Sequence, residues 1–243
     1  ELDVSISTVS RILRGSNSFN EETVKLVQKK ADELNYRPNI MARALVTKGS
    51  SLIGLVLRGI GSSFFGDLIT GVQVEAEFHG YSVILCNAHM DAEIERRHLK
   101  NLMDKSVDGI VVTPISAEQT NVDAYNEVVA QGVPLVLVGT PGAGVHAPCV
   151  EVDNALGGAL AARYLYGIGH RDFVYLTNSN AELRCDNPSV ATENAERYRG
   201  FFQVLDRHGI ADRLSVVEAP HAEVSEKTID ALLALKPRPT ALF

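Results

Sequence analysis

The chain has 243 residues, 45% of them hydrophobic and 22% charged, the balance of a globular protein, and it holds no run of eighteen apolar residues that could cross a membrane. Three cysteines, Cys86, Cys149 and Cys185, stand far apart without metal-ligand spacing, and the opening residues lack the pattern of a secretory signal. No cofactor and no metal are therefore expected, and the setting is predicted to be a reducing cytoplasm. A net charge of −7 argues against nucleic acid only as an average: residues 1–50 hold eight Lys/Arg against six Asp/Glu (+2), and the rest holds fifteen against twenty-four (−9). A small basic head can bind DNA beside an acidic body, because exposed charges are screened within about 10 Å.

Taken in order, the chain first predicts a helix over Ser5–Leu13, with Ser5 as N-cap and Val9, Ile12 and Leu13 as its apolar face. Ser7, Thr8, Ser10, Arg11 and Arg14 supply short donors and long cations on the other side. That face is either an ordinary solvated one or a surface that approaches phosphates and base edges. Asn20 caps a second predicted helix, whose Val24, Val27, Ala31 and Leu34 recur at helical spacing while Lys25, Lys29 and Lys30 face away. Pro38 then ends helical geometry before it and can open a new helix. Asn39–Leu45 has the composition of a short helix too small to be stable alone, followed by a linker at Lys48–Ser51. Such a segment is either a passive connection or a coupling element that folds against a partner.

From Leu52 on, apolar runs without alternation read as parallel strands buried on both faces: Leu52–Leu57, Ser82–Cys86, Gly109–Val112, Leu135–Val138, Val150–Val152, Phe173–Thr177 and Leu214–Glu218, with a last one at Ala241–Phe243. Between them lie helical patterns at Gly66–His79, Ala92–Lys105, Val122–Gln131, Ala155–Ile168, Asn194–His208 and Ser225–Leu235. The fold class is α/β, doubly wound, with two parallel-sheet subdomains and a crossing near Glu151–Asn154.

Ligands of open α/β sheets bind beyond the carboxyl ends of strands. That rule singles out Ser62–Asp67, Asn87–Asp91, Thr113–Ser116, Gly139–Gly144 and Asn178–Arg197, with Asn87 and Thr113 as candidate ligand contacts. Phe64 and Phe65 at a strand exit are either helix-start core or a stacking surface for a ring. Asp153 reads as a helix cap rather than a ligand. Enzyme chemistry finds little: Gly59-Ile60-Gly61 lacks a third glycine, no P-loop or GxSxG elbow is present, and the seven histidines show no HExxH spacing.

VSISTVSRIL from Val4, followed by NEETVKLVQKKADELNYRPN, ARAL, IGLVL, the GHR at Gly169–Arg171 and the final PTALF, closely resembles the lactose and galactose repressor family of bacterial transcription regulators over nearly the whole chain. The resemblance implies a helix-turn-helix head over 1–38, a hinge helix and linker over 39–50, and a core like a periplasmic sugar-binding protein, with subdomains over 51–152 and 153–243. It implies that Ile6, Ser7 and Arg11 read bases in the major groove and that Thr8, Ser10, Thr23, Tyr36 and Asn39 grip the DNA backbone. Leu45 from paired hinge helices would wedge into the minor groove. Phe64, Phe65 and Arg197, the last in an Arg-x-x-Gly-aromatic motif, are implied in binding a small-molecule effector such as a sugar or nucleobase. The implied partners are a double-stranded operator, the effector and a second copy of the chain, as a homodimer or higher oligomer, with no membrane. The departures are Asp3 at a turn position usually held by Gly, Gly139 where relatives often place Asp, and a longer loop between Thr177 and Arg197. Most of the head's first helix, and much of the second subdomain, are expected to lie outside this chain. The competing expectation is a periplasmic-type binding protein without DNA function, which would carry a secretory signal in place of the basic head.

Overall fold

Capping residues set where the first helices begin. In the computed structural model, which describes residues 4–13, 18–34, 36, 49–61, 63–115, 121–139, 144–183, 192–219 and 225–243, Ser5 Oγ accepts the Thr8 N–H at 3.1 Å and opens α1 (Ile6–Leu13). Asn20 Oδ1 accepts the Glu22 N–H at 2.9 Å and opens α2 (Glu21–Glu33), whose acidic first turn and basic Lys30 in the last complement the helix dipole. These two helices pack in one compact unit, Glu1–Ser51; a second unit spans Leu52–Phe243. Within the first, Ile12 and Val27 are the buried hydrophobic residues among those described. Leu34, expected on the apolar face of α2, instead follows the last helical turn and is 62% exposed. The predicted hinge, Asn39–Leu45, lies outside the described residues.

The second unit alternates strand and helix. β1 (Leu52–Leu57), α3 (Ser63–Phe78), β2 (Ser82–Asn87), α4 (Ala92–Asp104), β3 (Gly109–Val112), α5 (Val122–Ala130), β4 (Leu135–Val138) and β5 (Cys149–Val150) form a five-stranded layer in the order β2-β1-β3-β4-β5. All its pairings are parallel, with Leu55 opposite both Leu85 and Val111. Alternate residues of β1 serve opposite faces. Val56 joins Leu99, Leu102, Tyr125 and Val128 beneath α4 and α5, whereas Leu55 and Leu57 pack with Phe65 of α3. α6 (Asn154–Gly167), β6 (Phe173–Thr177), α7 (Asn180–Leu183), α8 (Glu193–Arg207), β7 (Leu214–Glu218), α9 (Glu226–Ala234) and β8 (Ala241–Leu242) build a three-stranded parallel layer in the order β7-β6-β8. Its core is Phe173, Tyr175, Phe201 and Leu205.

Three expectations need correction. α3 begins at Ser63, three residues before the predicted start at Gly66. β2 is not buried on both faces; as the outermost strand of its sheet it leaves Leu85 44% exposed. The predicted strand at Val150–Val152 is Cys149–Val150, because β4 offers partners only through Val138. There the chain turns at Gly139, with φ +99°, and Gly139 N–H closes the ladder on Val150 O.

α6 and α8 cross with their backbones in contact. A Cβ on Gly158 would collide with the Arg197 carbonyl, and one on Gly200 with the Ala155 carbonyl. The glycines thus let α8 lie directly on α6.

Among the described residues of the five-stranded layer, one carboxyl is buried. Glu95, 1% exposed, accepts the Tyr125 hydroxyl at 2.5 Å and the Asn121 amide at 2.9 Å. Burial pushes its pKa up against the opposing pull of these bonds, and burial beside it raises that of Tyr125 as well. Glu95 therefore holds its proton more firmly folded than unfolded. The stability this contributes is complete below the ordinary carboxylate value of 4.5 and is lost as pH rises through the raised one. The melting temperature of wild type relative to Glu95→Gln is expected to fall as pH is raised from about 4.5 toward neutrality. Parallel pH profiles in thermal melts of the two proteins would count against a proton on Glu95.

Candidate DNA-binding and effector sites

On α1, Ile6, Ser7, Ser10 and Arg11 are all exposed, Ile6 to 90%. Their spacing of one, four and five residues sets them on one side of the helix, opposite buried Ile12. The Arg11 guanidinium lies 5.0 Å from the centre of the Phe19 ring, which steadies a long side chain without using its hydrogen-bond donors. Thr8 is half-buried, with its hydroxyl 2.9 Å from Ser5 Oγ. Thr23 sits half-buried in the first turn of α2, and Tyr36 is 56% exposed, with its N–H on the Ala31 carbonyl. This face presents one apolar side chain, hydroxyls and a guanidinium, the groups that can touch bases and phosphates. Asn39 and Leu45 lie outside the described residues.

The second constellation lies in the Leu52–Phe243 unit, where β1 and β3 of the five-stranded layer end. Arg58 follows β1 directly. Its N–H donates to Thr113 Oγ1 at 2.9 Å, its guanidinium reaches the Pro114 carbonyl at 3.5 Å, and it lies 5.7 Å from the Phe65 ring centre. The same guanidinium crosses to the other layer and pairs with Glu193 Oε2 at 2.9 Å, both side chains 21% exposed. Thr192 caps α8 through the Ala195 N–H and so fixes Glu193 in the first turn. One turn on, Arg197 donates from Nε to Asn154 Oδ1 at 2.8 Å and has a second nitrogen 3.7 Å from the same Glu193 oxygen.

Asn154 is held in place by donating to the Val152 carbonyl at 3.0 Å, and Asp153 caps α6 through the Leu156 N–H, the role read from its sequence position. A side chain at Gly139 would strike Glu193 Oε1. Burial, and then the negative charges of Glu151 and Glu193, push the Cys149 thiol up. Tyr175, pushed up to about 12 mainly by burial, keeps its proton and donates it to Asn194.

Of the effector candidates, Thr113 and Arg197 thus join one network through Arg58 and Glu193. Asn87 stands apart at the end of β2, its side chain accepting the His89 N–H at 3.0 Å. The aromatic pair divides: Phe65 is 8% exposed in the core, and Phe64 is 51% exposed with its ring edge-on to it. Arg58 and Asn154 are not singled out by the sequence as ligand contacts, and Glu193 only as part of the Asn178–Arg197 segment. Arg58 does occupy a strand exit, and Glu193 precedes Arg197 by four residues, which places both on one face of α8. Among the described residues no three His, Cys, Asp or Glu side chains gather as a metal site, and no helix is long and apolar enough to cross a membrane.

Comparison with known proteins places both regions. Residues 2–39 match the model of bacterial regulatory proteins of the lacI family. Residues 50–242 match that of periplasmic binding proteins and the sugar binding domain of the LacI family. The ribose operon repressor of Halalkalibacterium halodurans is 31% identical over 99% of this chain and 67% of that protein. The transcriptional regulator RegA of Clostridium saccharobutylicum is 32% identical over 86% of this chain and 60% of its own length. The chain therefore spans about two thirds of the length of these relatives. In fold it is similar to the lac repressor dimer bound to operator and the anti-inducer ONPF, with a TM-score of 0.77 at 21% identity, over 98% of this chain and 69% of that one. The match over residues 2–39 separates the chain from a binding protein that has only the core. Carrying both the regulatory head and the binding core, the chain belongs to the LacI family of DNA-binding bacterial transcription regulators.

Proposed function

We propose that this chain is the operator-reading head and the greater part of the effector-binding core of a cytoplasmic repressor, and that it has no enzymatic role. The head is assigned to residues 1–38, the hinge to 39–50, and the two core subdomains to 51–152 and 153–243. The observation that carries the reading is the outer face of α1, where Ile6, Ser7, Ser10 and Arg11 stand exposed together on a helix capped by Ser5. Ile6 meets an apolar feature such as a thymine methyl, Arg11 reads a guanine, and Ser10, Thr23 and Tyr36 hold phosphates. The effector, a sugar, nucleobase or similar metabolite, binds around Arg197 and Thr113, and Phe64 stacks on it. Its binding changes the angle between the subdomains, and so whether two hinge segments can pair and insert Leu45.

A homodimer on a pseudo-palindromic operator follows from the same scheme. It finds support in the apolar side chains exposed along α3 and β2: Val74 at 62%, Phe78 at 81% and Leu85 at 44%.

The test is an operator selection from random DNA with variants of the full-length protein. Arg11→Ala is expected to relax base preference at one position in each half-site, at about 1–3 kcal/mol of discrimination. Tyr36→Phe is expected to weaken binding to all sequences alike, since a phosphate contact carries no sequence information. The same selected consensus from Arg11→Ala as from wild type would remove Arg11 from base reading.

A further inference from the structure

Glu193 is a carboxylate held between two arginines that belong to different parts of the core. Arg58 reaches it from the end of β1 at 2.9 Å, and Arg197 approaches the same oxygen from within α8 at 3.7 Å. The second distance is too long for a good hydrogen bond. Arg197, 44% exposed, is anchored through Nε on Asn154 and so turns the rest of its donor fork toward the carboxylate without closing on it. Among the described residues two guanidiniums meet one carboxylate here, and their planar donors suit a carboxylate or phosphate in two-point contact.

Gly139 borders the place of the anion. Gly139, at the end of β4, has no side chain to put there; a Cβ would meet Glu193 Oε1, the mobile tip of that side chain, and push it from its place. The five-stranded layer thus supplies a cation and a gap, and the three-stranded layer supplies the anion that fills it. Arg58 and Glu193 are each only 21% exposed, so a guanidinium left there without a counter-charge would be poorly compensated by water. Either Glu193 stays or another anion takes its place.

We propose that the effector of this cleft carries an anionic group, a carboxylate or a phosphate, that displaces Glu193 from between Arg58 and Arg197. Glu193 acts as a built-in competitor: it ties the two layers together in the unliganded protein, and the effector's anion replaces that tie with its own. This deepens the assignment of the cleft as the effector site and rests on it. Among sugars, nucleobases and similar metabolites, this favours those that carry a phosphate or a carboxylate.

The test uses the full-length protein and two simple probes, sodium phosphate and sodium acetate. Each is titrated at constant pH and ionic strength against sodium chloride, with the thermal midpoint read at each concentration. Glu193→Gln removes the competing charge and keeps the shape. It is expected to take up at least one of the two anions tenfold or more tightly than wild type, and the tighter of the two tells whether the site is tuned to phosphate or to carboxylate. Adding Arg58→Ala or Arg197→Ala to Glu193→Gln is expected to abolish the gain. Should Glu193→Gln fold poorly, Glu193→Asp, which withdraws the carboxylate by one methylene, gives the same direction at smaller amplitude. Equal anion affinity in wild type and both Glu193 variants, no uptake of either anion by any of them, or a gain that survives loss of each arginine overturns the proposal. Operator binding by the same preparations is measured separately. Variants that take up anions as expected while the wild type ignores operator DNA would sink the regulatory assignment and leave this one standing.

Discussion

Operator affinity of the full-length protein is expected to fall by about three to five decades between roughly 50 and 200 mM salt, the loss that goes with roughly 6–10 phosphate contacts. The head carries a surplus of only +2, so the expectation rests on where its charges and donors sit. Two lysines of α2 are partly engaged within the helix, Lys25 with Glu21 at 2.9 Å and Lys30 with Glu33 at 3.0 Å. Exposed pairs of this kind are worth little and exchange readily for phosphate. Arg11 holds its guanidinium at a ring rather than at a carboxylate and keeps its charge for DNA. The acidic remainder, at −9, opposes association at low salt but is itself screened as salt rises, so counterion release from the duplex dominates the slope. Fluorescence anisotropy across a salt series checks this. An affinity that hardly moves with salt would remove the phosphate-gripping role from α1 and α2.

Replacing Gly200 by Ala is expected to destabilise the core by about 1–3 kcal/mol, in the range of an overpacked interior, although Gly to Ala inside a helix ordinarily gains about 0.5–1 kcal/mol. The sign turns on the neighbour. At Gly200 the added carbon would meet the Ala155 carbonyl oxygen, which is backbone and cannot rotate aside, and at Gly158 it would meet that of Arg197. The two helices would have to part, and the contacts of Phe201 and Leu205 with the sheet would loosen. Gly157, next to Gly158 on α6, is the control. Nothing lies within 4 Å of a Cβ there, and Gly157→Ala is expected to stabilise by about 0.5–1 kcal/mol. Urea unfolding of the two single variants decides the matter; Gly200→Ala as stable as Gly157→Ala would mean that the helices are not in backbone contact.

Local features were legible from the chain in proportion to how local their causes are. The caps at Ser5, Asn20 and Asp153 act over two or three residues and were read correctly. So were most strands, because Val/Ile/Leu runs buried by helices on a parallel sheet need no information from elsewhere. The strand-exit rule pointed to Thr113, whose hydroxyl accepts the Arg58 N–H where β1 ends. What escaped depends on partners distant in sequence. The Arg58–Glu193 bond joins residues 135 positions apart, and no spacing encodes it. The exposure of Leu85 follows from β2 being outermost, a property of strand order rather than of its own residues. Phe64 and Phe65 carry the same side chain, and only the pitch of α3, begun three residues earlier than predicted, sends one into the core and the other outward.

The glycine contact between α6 and α8 also bears on how such a protein can change over generations. Glu193, Asn194 and Arg197 ride on α8 and Asn154 on α6, and two helices whose backbones touch cannot be shifted independently. A lineage acquiring a new signal therefore has no inexpensive way to widen or narrow this wall by sliding one helix. It has to exchange the side chains at the tips, one at a time, on a frame that stays put. Relatives that respond to different metabolites are accordingly expected to keep small residues at the positions of Gly158 and Gly200 while differing at those of Arg58, Gly139 and Glu193. The crossing would then act as an inherited chassis, and the diversity of the cleft would be confined to its fittings.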